Sequence, residues 1–357
     1  MQTIIFNGQG ALKEDTTEDR RLYDAFPPIR VLYGQAKALT GIDMPGIAFE
    51  GTIEERRRYQ QFIVFLKQAA LATLVQGGME VNRRKIIDLG FTNPINAAMG
   101  LSSGEYNGWL TANVGNFSAL AEIMACRNEL MWPINAGGLT TYLGVTREDL
   151  EAACKEEGVE DLAILKCDGN YSVGAVQEVR ERIYQRLKEE KKVKKAIPTD
   201  TRGAIHTQEF EEVAKIFSSF LWDYQENLFT PSIKIFSGAY ARPYYPMVGD
   251  LIAGGSDHIC KTFYFQQNVE KAIKPSFKKG VKHTFLVVGQ GAAELEKIVG
   301  RICVSAKKKW AKGVEKGVAA WDGLETKVIE DTRSVINYWK EKGFRPNFEL
   351  KLEPGFV

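Results

Sequence analysis

The sequence predicts an α/β protein built on a mainly parallel sheet, with a small α+β unit inserted into it. Three observations carry that reading. β-prone apolar runs alternate with helical stretches along most of the chain. The first run, Thr3-Ile4-Ile5-Phe6, passes directly into the glycine turn Asn7-Gly8-Gln9-Gly10. From about Gly137 the texture changes to short strands and charged helices, and it returns to longer elements after residue 200. We therefore expect a large domain of residues 1–134 and 201–357, in which 311–357 is an unassigned C-terminal extension, and a small subdomain of residues 135–200.

Each element follows from its own pattern. EERRRYQQFIVFLKQAALATLVQG (54–77) has apolar residues at near-helical spacing and stops at Gly77-Gly78, which predicts one helix. Ile95 to Met99 is a short apolar strand, and Glu105–Trp109 and Phe117–Trp132 read as helices. The inserted segment reads β-α-β-α-β: LTTYLGV, TREDLEAACKEEG, DLAILKC, AVQEVRERIYQRLKEEKK and KKAIPTD. Beyond it come a helix over Gln208–Trp222, the strand SIKIFSG, a helix near Val269–Lys279, the strand HTFLVVG and a helix from Ala292.

Composition narrows the function. With 44% hydrophobic and 26% charged residues the chain is an ordinary globular protein. A net charge of +2, with both signs interspersed, argues against nucleic-acid binding. The N-terminus lacks a signal-peptide pattern, and no apolar stretch reaches the ~18 residues of a membrane span. A cytoplasmic protein with no membrane partner is expected. The five cysteines lack CxxC spacing, so we expect neither a disulfide framework nor a zinc site.

Between strand and helix lies Gly100-Leu101-Ser102-Ser103-Gly104. In that context G-x-S-x-G is a nucleophile elbow, with Ser102 central and Ser103 offering its backbone N–H to an oxyanion. A plain helix N-cap is the competing reading. A nucleophilic serine needs a base, and there are three histidines. His283 opens an apolar strand, His258 falls in GGSDHIC, read as a loop without catalytic features, and His206 lies where the inserted unit rejoins the main body. Domain junctions are frequent sites of chemistry, which favours His206.

Four collinear pieces, IIFNGQGA, MGLSSGEY, MACRNELM and KKAIPTDTRGAIHT, together with the weaker FLVVGQGAAELEKIVGRI, resemble the malonyl-CoA:acyl carrier protein transacylases and the related acyltransferase domains of polyketide synthases. The resemblance runs from residue 3 to about residue 302. It implies an α/β-hydrolase-like large domain with an inserted ferredoxin-like subdomain. It further implies Ser102 as the acylated serine, His206 as its base, Gln9 and Ser103 as the oxyanion hole, and Arg127 as the clamp on the malonyl carboxylate. The implied partners are a CoA thioester and an acyl carrier protein, with no metal or redox cofactor. A basic run, KEEKKVKKA (188–196) or AKKKWAKGVEK (306–316), is either a solvated face or a dock for the acidic carrier.

The sequence also departs from the family. Leu101 stands where histidine is common, Asn7 where proline is usual, and Ile205 where phenylalanine or serine accompanies malonyl or methylmalonyl choice. We treat Leu101 and Ile205 as specificity candidates, with the extender unit open. The family's Asn-rich loop is matched only by CDGNYSVGAV, which reads as a shortened loop. Two other functions fit the same residues: a serine acyl hydrolase using the same dyad, and a non-catalytic docking subunit of a synthase complex. Arg127 argues for transfer over hydrolysis, and retention of Ser102, His206, Arg127 and Gln9 argues against a silent subunit.

Overall fold

A computed structural model describes residues 1–9, 15–81, 84–311 and 322–345. Its strands in chain order are β1 (Gln2–Phe6), β2 (Gly78–Val81), β3 (Arg84–Asp88), β4 (Ala97–Gly100), β5 (Gly138–Leu143) and β6 (Ile164–Cys167). They continue with β7 (Asn170–Ala175), β8 (Lys195–Pro198), β9 (Lys234–Ser237), β10 (Arg242–Pro243), β11 (His283–Val288) and β12 (Leu324–Ile329).

The main sheet has the order β10-β9-β4-β1-β11-β12 and is parallel except for the edge pair β10-β9. β1 lies between two parallel partners, so Ile4, Ile5 and Phe6 are wholly buried, as both faces of a parallel sheet require. Each contributes about 1.5–3 kcal/mol by leaving water. Helix Gln60–Gln76 is buried on nearly all sides, the pattern of a helix inside a large core. It is not the single 54–77 helix that the spacing predicts. Ile53–Arg58 forms a separate turn of helix behind a Thr52–Glu55 capping box and buries no residue. The helical run is interrupted at Tyr59, where a charged surface segment gives way to one buried in the core.

The inserted segment forms a second sheet, β6-β7-β5-β8, antiparallel throughout. Helices Arg147–Glu156 and Gln177–Glu189 cover one face, with Tyr142, Leu165, Val173, Ile183 and Leu187 in the core between. The β-α-β-α-β reading is corrected here: CDGNYSVGAV is no shortened loop but contains strand β7, giving β-α-β-β-α-β. Asp168-Gly169 makes the two-residue hairpin turn between the paired Cys167 and Asn170, with Gly169 at φ +72°. Asn170, Ser172 and Gly174 occupy alternate positions of the strand, which dilutes its apolar signal.

Part of the extension left unassigned from residue 311 belongs to the large body. β12 adds to the sheet in parallel beside β11. Helix Thr332–Lys342 docks on the central helix, with Trp339 Nε1 donating to the Leu74 carbonyl at 2.9 Å and Asn93 Nδ2 donating to Tyr338 Oη at 2.7 Å. Residues 312–321 and 346–357, including the end of the second basic run, lie outside the described residues. In the first run, Lys192 is paired with Asp149 and Glu190. Among the described residues no helix is long and apolar enough to cross a membrane.

Candidate active site

β4 ends at Gly100, and the chain turns through Leu101 into the short 3-10 turn Ser102–Gly104 and helix Glu105–Thr111. Ser102 takes the left-handed backbone region, φ +51°, a conformation that costs a non-glycine residue about 1–2 kcal/mol. Gly104 closes the turn because a Cβ there would lie 2.3 Å from the Asn7 carbonyl oxygen. The end of β1 packs directly on this turn. Leu101 N donates to the Phe6 carbonyl at 2.8 Å, and a Cβ on Gly8 would sit 3.4 Å from Ser102 Cβ.

That contact places Gly8, the residue before Gln9, beside the serine. Asn7 shapes the loop, taking the Gly8 N–H on Oδ1 at 2.9 Å and donating from Nδ2 to the Gln290 carbonyl at 2.6 Å. Gln68 of the central helix donates to the Asn7 carbonyl at 2.8 Å and accepts from Asn107 at 2.9 Å, joining loop and serine helix. The Gln9 side chain is held by Gln60 at 2.6 Å. Ser103 is buried at the start of the turn, where backbone N–H groups lack intrahelical acceptors.

His206 arrives from β8. It is fully buried at φ +66°, and its backbone N–H donates to the Ile259 carbonyl at 2.7 Å. Its Nδ1 contacts the His258 carbonyl, which can only accept, so Nδ1 carries the proton. Nε2 then presents its lone pair to Ser102 Oγ at 2.9 Å, and the hydroxyl donates. Burial, reinforced by the Arg127 charge, lowers the imidazole pKa to about 3 although the carbonyl bond opposes the shift. Ser102 thus faces a neutral base of fixed tautomer.

The reading of GGSDHIC as a loop is corrected: His258 occupies the last turn of helix Val248–Cys260. Gly254 and Gly255 do not break that helix. A Cβ on Gly254 would lie 2.5 Å from the Tyr244 ring and one on Gly255 would lie 2.6 Å from the Trp109 ring, so the glycines serve close packing. The His258 carbonyl is the group that orients His206, a role invisible to any search over side chains.

Arg127 projects from helix Phe117–Met131 and is 1% exposed. Its guanidinium stands 5.6 Å from the Tyr106 ring centre, and Nε, Nη1 and Nη2 have no hydrogen-bond partner among the described residues. Burial lowers its pKa, while Tyr106 and Glu105 oppose the shift. Glu105 is fully buried, with its oxygens taken by the Tyr244 hydroxyl and by Gly238 N at 2.9 Å. Its pKa is raised to about 8, by burial foremost. Leu101 and Ile205 are buried next to Ser102 and His206 in the chain. Two clefts are lined by residues of this region. One of about 450 Å³ is bounded by Gln9, Arg57, Gln61, Met131, Trp132 and Arg202, and one of about 250 Å³ reaches His206 past Gly174 and Thr207.

No family model matches the chain. It is 25% identical over 267 residues to the polyketide biosynthesis malonyl CoA-acyl carrier protein transacylase PksC of Bacillus subtilis (strain 168), covering 73% of this chain and 86% of that protein. It is also 25% identical over 228 residues to the malonyl CoA-acyl carrier protein transacylase of Staphylococcus aureus (strain MRSA252), covering 61% of this chain and 68% of the relative. The fold matches the solved malonyl CoA-acyl carrier protein transacylase of Clostridium perfringens Atcc 13124, with TM-score 0.76 and 18% identity over 96% of this chain and 97% of that one. A malonyl-transacylase solved in complex with a holo type II PKS acyl-carrier protein matches with TM-score 0.75 and 18% identity over 95% and 99% of the two chains.

The chain is similar in sequence to malonyl CoA-acyl carrier protein transacylases and shares the fold of the solved ones. Of the residues singled out as transacylase machinery, the fold brings Ser102 and His206 into hydrogen-bond contact. It places Arg127 in the same buried region, since the Arg127 charge acts on the His206 ring. Residues that the motif search missed are Asn7, Gln68 and Asn107, which brace the Gln9 loop, and Tyr244, which meets Glu105. Asn7 had a signal, as the departure from the proline usual in transacylases.

Proposed function

We propose that the chain moves a malonyl or related dicarboxylic acyl group from CoA to the phosphopantetheine thiol of an acyl carrier protein, through an acyl ester on Ser102. One observation carries this reading. A serine hydrogen-bonded to a neutral, oriented histidine shares a buried site with an arginine whose fork of donors has no partner among the described residues.

In the first half-reaction Ser102 Oγ attacks the thioester carbonyl carbon while His206 Nε2 takes its proton. The oxyanion forms beside the Gln9 and Ser103 backbone N–H groups. The C–S bond then breaks, the CoA sulfur leaves with the proton from His206, and the acyl-Ser102 ester remains. In the second half His206 takes the proton of the carrier thiol, the sulfur attacks the ester, and Ser102 Oγ departs protonated. Arg127 grips the distal carboxylate with two parallel bonds, which a lysine ammonium cannot reproduce. The route uses only these side chains and the substrates. The five free cysteines support a reducing compartment, the cytoplasm.

Intact-protein mass spectrometry tests the reading. After brief exposure to malonyl-CoA the protein should gain one malonyl group, and added holo acyl carrier protein should remove it while gaining the same mass. Release of free malonate with no gain on the carrier would replace transfer by hydrolysis.

A further inference from the structure

His258 presents two orphaned groups next to the catalytic pair. Its side chain is 0% exposed, and neither Nδ1 nor Nε2 has a hydrogen-bond partner among the described residues. Arg127, also buried, has no hydrogen-bond partner at any of its three nitrogens among the described residues. These groups flank one ring: the Tyr106 ring centre is 5.3 Å from that of His258 and 5.6 Å from the Arg127 guanidinium carbon. The His206 ring is 6.0 Å from His258. Buried polar groups without partners are rare in native proteins and each is costly, so two that share a neighbour call for a common acceptor.

Among the described residues no acceptor stands in hydrogen-bond geometry with either side chain. Both Glu105 oxygens are engaged by Tyr244 and Gly238, and the Tyr106 hydroxyl donates to the Gly255 carbonyl at 2.9 Å. Burial and the Arg127 charge hold the His258 imidazole neutral. A neutral imidazole carries one N–H, so it can donate to an anion without adding a second cation to the site.

We propose that the His258 ring is a second binding residue for the dicarboxylic acyl group, donating its N–H to the carboxylate oxygen that the Arg127 fork leaves with a free lone pair. The inference rests on the acyl-Ser102 reading above. It assigns His258 two functions from one helix end: its carbonyl orients the base, and its side chain recognises the acyl group. Together the two residues select an acyl chain ending in a carboxylate over an uncharged one.

The test compares kcat/KM for malonyl-CoA and acetyl-CoA in wild type, His258→Phe and His258→Gln. Disturbance of His206 through the helix end slows both donors alike, so the ratio isolates the side chain. We expect the malonyl-to-acetyl ratio to fall about ten- to hundredfold in His258→Phe, the worth of a hydrogen bond to a charged group, and to recover most of that in His258→Gln, which keeps an N–H donor. An unchanged ratio in folded His258→Phe overturns the proposal, as does a His258→Gln ratio no better than that of the Phe variant. Should His258→Phe not fold, ¹⁵N-histidine NMR of wild type decides. The His258 ring nitrogens should shift when the protein is malonylated and not when it is acetylated, and equal spectra overturn the assignment. If wild type forms no malonyl adduct the underlying reading fails. If the adduct forms and only the His258 results are negative, the inference alone fails.

Discussion

His206 Nε2 lies 2.9 Å from Ser102 Oγ, and both residues hold the left-handed backbone region, φ +66° and +51°. Strain on each side of one hydrogen bond persists only where the surrounding structure over-determines it, and such strain concentrates at sites of chemistry. Here the Ile259 and His258 carbonyls fix one partner, and the Gly100–Gly104 turn fixes the other.

The two adjacent serines should behave differently. Ser102→Ala removes the oxygen that the base addresses and should show no malonyl adduct by intact mass. Ser103 Oγ is buried without a partner among the described residues, and its proposed contribution is a backbone N–H. Ser103→Ala should therefore still acylate within about tenfold of wild type. An adduct that survives in Ser102→Ala would move the nucleophile elsewhere.

Arg127 sets function against stability. A buried charge lacking partners is destabilising, and an apolar side chain of similar size can relieve that cost. Arg127→Met should raise the melting temperature while lowering the malonyl-to-acetyl ratio of kcat/KM about thirtyfold or more, as expected for two charge-assisted bonds. Arg127→Lys should recover little of that ratio. A lysine variant with wild-type selectivity would contradict the fork geometry.

The acid limb of acylation should be displaced. With its pKa lowered to about 3, His206 stays deprotonated well below the ordinary histidine value of 6.5. Rapid-quench rates of acyl-Ser102 formation should accordingly be nearly level from pH 7 down to pH 5. A fall in rate with a midpoint near 6.5 would show a base exposed to solvent.

His283 should make stability pH-dependent. It is buried between Ser276 Oγ at 2.9 Å and Thr3 Oγ1 at 3.1 Å, and burial lowers its pKa to about 4. In the unfolded chain it takes a proton near 6.5, so between 6.5 and 4 the unfolded state binds more protons and stability falls as pH falls. The stability advantage of wild type over His283→Gln should shrink by about 2 kcal/mol between pH 7 and pH 5. Urea melts at the two pH values measure this, and a constant difference would place His283 in contact with water.

What could be read along the chain were the features encoded by neighbours in sequence. The strand-turn-helix around Ser102 shows itself because small residues are needed within five positions, and helix Phe117–Met131 shows its own period. The Asp168-Gly169 hairpin is equally local, and what hides strand β7 is the polar or small Asn170, Ser172 and Gly174 at every second position, not the want of a turn signal. Sequence alone thus determined the fold class, the residue types of the site, and Ser102, His206 and Arg127 as its candidates. Other features arise from chain-distant approach, and only the tertiary structure decided them. β12 joins the sheet through partners in β11, and its half-buried run LETKVI, with Glu325, Thr326 and Lys327 in the middle, carries no trace of that pairing. The His258 carbonyl orients the base through a backbone atom that every residue type possesses. The missing partners of Arg127 and His258 exist only once the surrounding helices have closed water out, because an exposed donor always finds one.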